Sequence, residues 1–244
     1  MSIVKNNNCA GRLYYLLDSA RNCDGSKITK DVWWHVLDVS PDSETEFFEK
    51  LALFQHLVDE VPERIKSVDG INHELLLMKY NNIRQATSFY NLSIQWNNYR
   101  RYLDEATMLN LSYCAEELSK HESEKTIEQE TLSELLQDIA ILLDKLHNSS
   151  INSQLKQLLI HQLNLIRRGI QEYKISGPKV LYEYLARFYG EFLFKHNLFE
   201  HEKDDKTIKE TLSFIWKATN IILTIYNAGQ LAYDGFNWLK KICA

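Results

Sequence analysis

His196 and His201 lie five residues apart and are followed by Asp204 and Asp205. Imidazole nitrogens and carboxylate oxygens together can hold a divalent metal, and a held metal can activate water for hydrolysis. His201, Asp204 and Asp205 fall in a polar run, His201 to Lys206, that reads as a solvated loop between helices. We take the loop reading first and keep His196, His201 and Asp204 as metal candidates. The alternative they support is a helical nuclease or hydrolase with a non-standard site.

The stretch Trp96-Asn-Asn-Tyr99-Arg-Arg-Tyr102 mixes aromatics with adjacent cations. Arginine pairs with phosphate and aromatic rings stack on bases, so Arg100 and Arg101 are candidate nucleic-acid contacts. Arg167 and Arg168, near Lys174 and Lys179, form a second such group. On a helix, Trp96, Tyr99 and Leu103 share one face while the arginines point elsewhere. That pattern reads first as an aromatic core with an arginine rim.

Other chemistry leaves no mark on the sequence. The chain has no phosphate-cradling glycine loop of either common pattern, no His-Glu-x-x-His and no Gly-x-Ser-x-Gly. The pairs Asp42/Glu44, Glu116/Glu117 and Asp204/Asp205 read as surface solvation. A Ser/His/Asp triad assembles in space rather than in sequence, so that class stays open. Cys9, Cys23, Cys114 and Cys243 include no close pair, which argues against a structural zinc. With no leader pattern, we expect free thiols in a cytoplasmic protein, no cofactor and no catalytic residues.

The elements that must position these residues are helical. The 244 residues include only 8 glycines and 3 prolines, which favours long regular segments. Hydrophobic residues make up 45% and charged residues 25%, as in ordinary globular chains. A net charge of −5 gives no global pull toward nucleic acid or anionic membrane. Apolar residues recur at helical spacing: Leu13, Leu16, Leu17, Ala20; Phe47, Leu51, Phe54, Val58, Val61, Ile65; Leu132, Leu135, Leu136, Ile139, Leu142, Leu143, Leu146. No stretch sustains a period of two. The expectation is an all-α, multi-helix bundle of about 8–10 long antiparallel helices with short loops.

Local signals place the boundaries. Pro62 should kink or split the helix that begins at Glu44. Ile94 to Leu118 reads as one helix, with Trp96, Tyr99, Leu103, Ala106, Leu109, Cys114 and Leu118 apolar. Thr126-Ile-Glu-Gln129 reads as a capping box. Ser176-Gly177-Pro178 should end one helix and open the next. Met1 to Asn8 is polar and reads as mobile. The charged run His121–Lys125 separates an N-terminal half, 1–120, from a C-terminal half, 126–244, unless the two form one domain.

Leu212 to Leu239 holds more apolar residues than one helix stripe needs, but charges and amides interrupt it, so it does not read as a membrane span. It is either a core helix or a surface that meets another protein. On the second reading Trp216, Tyr226, Tyr233, Phe236 and Trp238 are interface candidates, and such a surface also suits peripheral membrane contact.

Three stretches carry a resemblance: Leu13-Tyr-Tyr-Leu-Leu-Asp18, Asp31-Val-Trp-Trp34, and Ile166-Arg-Arg-Gly-Ile-Gln-Glu-Tyr173 with the Ser-Gly-Pro turn. They resemble a group of uncharacterised bacterial helical proteins over about residues 10–195. The resemblance implies a setting beside bacterial anti-phage genes and brings no catalytic residues. The chain also resembles helical ribonucleases of the HEPN class in being a compact all-α protein. Their signature sets four to six residues between Arg and His. Arg64/His73 and Arg187/His196 have eight residues between them, so that activity does not carry over. The function expected is a non-enzymatic scaffold, accessory or sensor protein that binds a protein partner or itself. Nucleic-acid binding is an alternative beside the hydrolase.

Overall fold

The computed structural model describes residues 4–40, 42–195, 198 and 205–225. Its described residues are all-α, with one isolated bridge between Ile28 and Gln95. The chain divides into two compact units. The first is 1–124 with the short segment 175–177, and the second is 125–174 with 178–244.

The first unit contains α1 (Cys9–Arg21), α2 (Thr29–Val36), α3 (Glu44–Ser67), α4 (His73–Leu77), α5 (Tyr80–Ala86), α6 (Asn97–Arg100) and α7 (Glu105–His121). Helix α1 packs along α7 and against α2 and α3. The spacing of Leu13, Leu16, Leu17 and Ala20 puts all four in the core. Burying each large apolar side chain contributes about 1.5–3 kcal/mol. Trp33 lies at the centre of an aromatic cluster, 4.4 Å from Phe54 and 5.7 Å from Trp96, while Trp34 stacks on Phe47 at 5.0 Å. The Asp31-Val-Trp-Trp motif is therefore a packing anchor.

Helix α3 runs through Pro62 without splitting. Proline has no amide hydrogen, so the carbonyl four residues earlier loses its helical donor. That carbonyl is Val58 O, and the Tyr80 hydroxyl donates to it at 2.5 Å. Tyr80 itself is buried, which pushes its phenol well above the ordinary range. A side chain from α5 thus replaces the bond that proline removes.

Residues 94–118 do not form one helix. Asn97–Arg100 is a single turn, and α7 restarts after Asp104, whose carboxylate accepts from Thr107 N at 2.7 Å. The Thr107 hydroxyl and amide hold the Asp104 carboxyl below the ordinary range. The restart resets the helical phase. The buried face becomes Thr107, Met108, Leu111, Cys114, Ala115 and Leu118, and it leaves Ala106 and Leu109 exposed.

The start of the chain is tied down at Asn7 and Asn8. Asn8 caps α1 by accepting from Gly11 N at 2.9 Å and donates to Ala115 O at 2.9 Å. Asn7 donates to Ser119 Oγ at 3.0 Å and Ser123 Oγ at 2.8 Å, and its carbonyl accepts from Glu124 N. Arg12, 5% exposed, pairs with Glu124 and donates to Ile175 O at 3.1 Å. Gly177, at φ +71°, takes a left-handed conformation, and a Cβ there would meet the Arg12 guanidinium.

The second unit contains α8 (Gln129–Asn148), α9 (Ser153–Ser176), α10 (Pro178–Phe194) and α11 (Lys206–Ile225). Leu132, Leu135, Ile139, Leu142 and Leu146 form the buried stripe of α8. The Thr126-x-x-Gln129 capping box does not form. Helix α8 begins at Gln129 without a side-chain cap, and the Ile127 amide donates instead to the Tyr173 hydroxyl at 2.9 Å. Asn152 caps α9 through Gln154 N at 2.9 Å, and Pro178 opens α10 directly after Gly177. Among the described residues no helix is long and apolar enough to cross a membrane.

Candidate interaction surface

Helix α4 is five residues long and buries none of its side chains fully. Its backbone, however, is fixed at several points. Asn72 Oδ1 accepts from Leu75 N at 3.0 Å and caps the turn. On α7, Asn110 Nδ2 donates to Leu75 O at 3.2 Å, and Asn110 Oδ1 accepts from Lys79 N at 3.4 Å. Cys114 Sγ, one turn further on, donates to Leu76 O at 3.1 Å. Burial pushes the Cys114 thiol up to about 12, so it is neutral and serves only as this weak donor.

The two helices joined by these bonds carry four exposed apolar side chains. Leu75 and Met78 come from α4 and its end, with 59% and 61% of their surface exposed. Leu109 and Tyr113, at i and i+4 on α7, are 45% and 52% exposed and flank Asn110. Together they offer about 400 Å² of mostly apolar surface, the size at which an exposed patch is often functional. These exposed and part-buried hydrogen bonds tie the α4 backbone to α7 and limit the ordering that binding would require.

The sequence holds two signals for this face. Leu75-Leu-Leu-Met78 is a four-residue apolar run in an element too short to bury it. Met108 and Leu109 are adjacent, so on a helix they cannot both face the core.

The candidates named from the sequence fall as follows. Trp216 is half-buried against the second unit's core, while Tyr226, Tyr233, Phe236 and Trp238 lie outside the described residues. Within the apolar surplus, Leu212, Phe214, Ile215, Ala218 and Ile222 of α11 are core, as is Ile208 before it, and the helix packs against α8 and α10. His196, His201 and Asp204 also lie outside the described residues, and Asp205 caps α11 by accepting from Thr207 N at 2.8 Å. Among the described residues no three His, Cys, Asp or Glu side chains gather where a metal could sit.

Arg100 and Arg101 belong to the first unit, Arg167 and Arg168 to the second. Arg101 lies 4.9 Å over the Tyr102 ring and donates to its hydroxyl at 3.0 Å. Arg168 pairs with the buried Glu172 at 2.8 Å, and Glu172 also accepts from Tyr184. Burial, with the Glu172 charge, raises the Tyr184 phenol to about 12. Trp96 and Tyr99 are fully buried, and the Trp96 indole donates to Ala20 O at 2.8 Å, so neither ring is open for base stacking.

One pairing was not visible in the sequence. A cleft of about 700 Å³ in the second unit is lined by Gln154, Gln157, His161, Glu191 and Lys195. His161 Nε2 lies 3.5 Å from Glu191 Oε1, and the buried Gln162 donates to Glu191 Oε2 at 2.9 Å. The two residues come from α9 and α10, thirty positions apart, and no short motif joins them.

In comparisons with known proteins, no family model, no curated protein and no solved structure matches this chain.

Proposed function

We propose that the chain is a non-enzymatic helical interaction protein that pairs with a second copy of itself through the α4–α7 face. The observation that carries the reading is the exposed set Leu75, Met78, Leu109 and Tyr113 on a backbone fixed by Asn110. A mostly apolar patch without charges can face its own copy, which suits two-fold pairing. Two copies would bury about 800 Å² in all, below the roughly 1,200–2,000 Å² of stable complexes. The pairing is accordingly weak and concentration-dependent. Light scattering across a concentration series tests it. The mean mass of the native chain should climb toward two chains, and Met78→Glu with Tyr113→Glu should hold it at one. A native mass that stays at one chain removes self-pairing and leaves a different protein as the occupant.

The bacterial resemblance supports an accessory or sensor role in anti-phage defence for this interaction protein. Phage plating on cells with the native chain and with the face variant tests that part; equal plating with and without the chain contradicts it. The His161–Glu191 approach favours a second reading, a hydrolase in which Glu191 orients His161 as a general base. It predicts a hydrolytic activity lost on His161→Ala, and an unchanged activity in that variant rejects it.

A further inference from the structure

A separate cleft of about 460 Å³ opens in the first unit where α3, α4 and α5 meet. Its volume falls in the range of small-molecule sites, about 300–1,000 Å³. Two cations line it from different helices, Lys66 on the last turn of α3 and Arg84 on α5. Lys66 makes no ion pair among the described residues. Arg84 has Asp59 only at 4.0 Å, the outer limit of an ion pair, and both side chains are more than half exposed. Most of the guanidinium's five donors are therefore open to a ligand.

The remaining lining complements an anion with an apolar body. Asn81 brings an amide donor, and Glu74 is the one carboxylate in the lining. Within the lining Lys66 and Arg84 stand with Glu74, and Asp59 lies 4.0 Å from Arg84 at its edge. Pro62 and Leu77 supply apolar wall. His73 is fixed in place, since its Nε2 contacts Val68 O at 2.8 Å and a carbonyl can only accept. The Tyr80 hydroxyl is occupied by Val58 O, so that residue can offer only its ring.

We infer that this cleft binds a small oxyanion-bearing molecule, a phosphate ester or a carboxylate. Arg84 takes the oxyanion through its planar fork, Lys66 adds a point charge, and the apolar body rests on Pro62 and Leu77. Lys66 and Arg84 each lie in the last turn of a helix and so suit the macrodipole, but that does not account for both lining one cleft. The inference stands apart from self-pairing, because its residues are not those of the apolar face.

The test is a nitrogen-15 NMR titration of the full chain at constant ionic strength, with inorganic phosphate in one arm and succinate in the other. Saturable shifts should centre on the amides of Lys66, His73, Asn81 and Arg84. Arg84→Gln and Lys66→Gln should each weaken the response by about tenfold, as expected for loss of a charge-assisted contact. Arg101→Gln should leave it unchanged. Both substituted positions are exposed, so folding should persist, and the spectra report it directly. A response to phosphate alone assigns a phosphate ester, to succinate alone a carboxylate, and to both a general oxyanion site. No saturable shift in either arm, or shifts that survive Arg84→Gln, overturns the inference.

Discussion

Replacing Tyr80 by Phe removes one oxygen and leaves the packing shape almost intact. The structure assigns that oxygen a specific task, donation to Val58 O at 2.5 Å, where Pro62 cannot donate. Val58 is buried, so its carbonyl has no water to turn to. Leaving a buried acceptor unpaired costs about 1–3 kcal/mol, and we expect Tyr80→Phe to destabilise the first unit by about 2 kcal/mol. In a Pro62→Ala background the amide of residue 62 can donate to Val58 O, and the hydroxyl becomes redundant. Tyr80→Phe should then cost under about 1 kcal/mol, which gives a coupling of about 1–2 kcal/mol. The assay is equilibrium urea unfolding of the four chains, followed by tryptophan emission, since Trp33, Trp34 and Trp96 lie in this unit. Equal costs of Tyr80→Phe in the two backgrounds would refute the reasoning.

Further predictions follow from other buried groups. Burial pushes the Glu124 carboxyl above its ordinary value, while Arg12 pulls it down, with smaller opposing effects from Glu60 and Arg64. A carboxyl raised on folding costs stability as pH rises from its unfolded to its folded value. Arg12→Gln should raise Glu124 further and widen that window, which carbon-13 titration of the carboxyl can follow. The same change should cost about 3 kcal/mol near neutral pH, the low end for a broken buried pair because Glu124 keeps some solvent access. Cys9 and Cys114 are buried and pushed up to about 12, so a thiol reagent at mild alkaline pH should label partly exposed Cys23 in a Cys243→Ser chain and spare both until unfolding. Gly177→Ala combines a positive φ with a Cβ pressed on Arg12, and should cost about 1–3 kcal/mol in thermal unfolding.

Where the deciding interactions are local, the sequence shows the fold. The stripe of α8 and the Ser176-Gly177-Pro178 turn depend on residues within one or two helical turns, and both appear as read. The misreadings have distant causes. Pro62 does not split α3 because a hydroxyl eighteen residues later supplies the missing donor. The capping box at Thr126 does not form: α8 starts after Glu128, and the preceding Ile127 amide meets Tyr173 of α9. Asp104-Glu-Ala-Thr107 carries a helix-start signal, but the apolar residues on both sides imitate one continuous helix, and the phase of Leu109 is lost with it. The apolar face was the least legible part. Its members come from two helices, which Asn110, through Leu75 O and Lys79 N, and Cys114, through Leu76 O, tie together. The C-terminal surplus reads from sequence as either core or interface, and its described part, up to Ile225, lies in or against the second core.

That last point decides how the central claim can be tested. A chain ending at Asp205 would lose Ile208, Leu212, Phe214, Ile215 and Ile222 from the second core, on the order of 10 kcal/mol of burial. This rivals the whole stability of a domain, so truncation would report unfolding rather than assembly. Surface substitution avoids the problem. The most direct measurement is therefore light scattering after size exclusion, over a concentration series, on the native chain and on the Met78→Glu, Tyr113→Glu variant. The account predicts a native mass that rises with concentration and a variant that stays at one chain, with the same circular dichroism. Native and variant masses that rise together, or that both stay at one chain, contradict it.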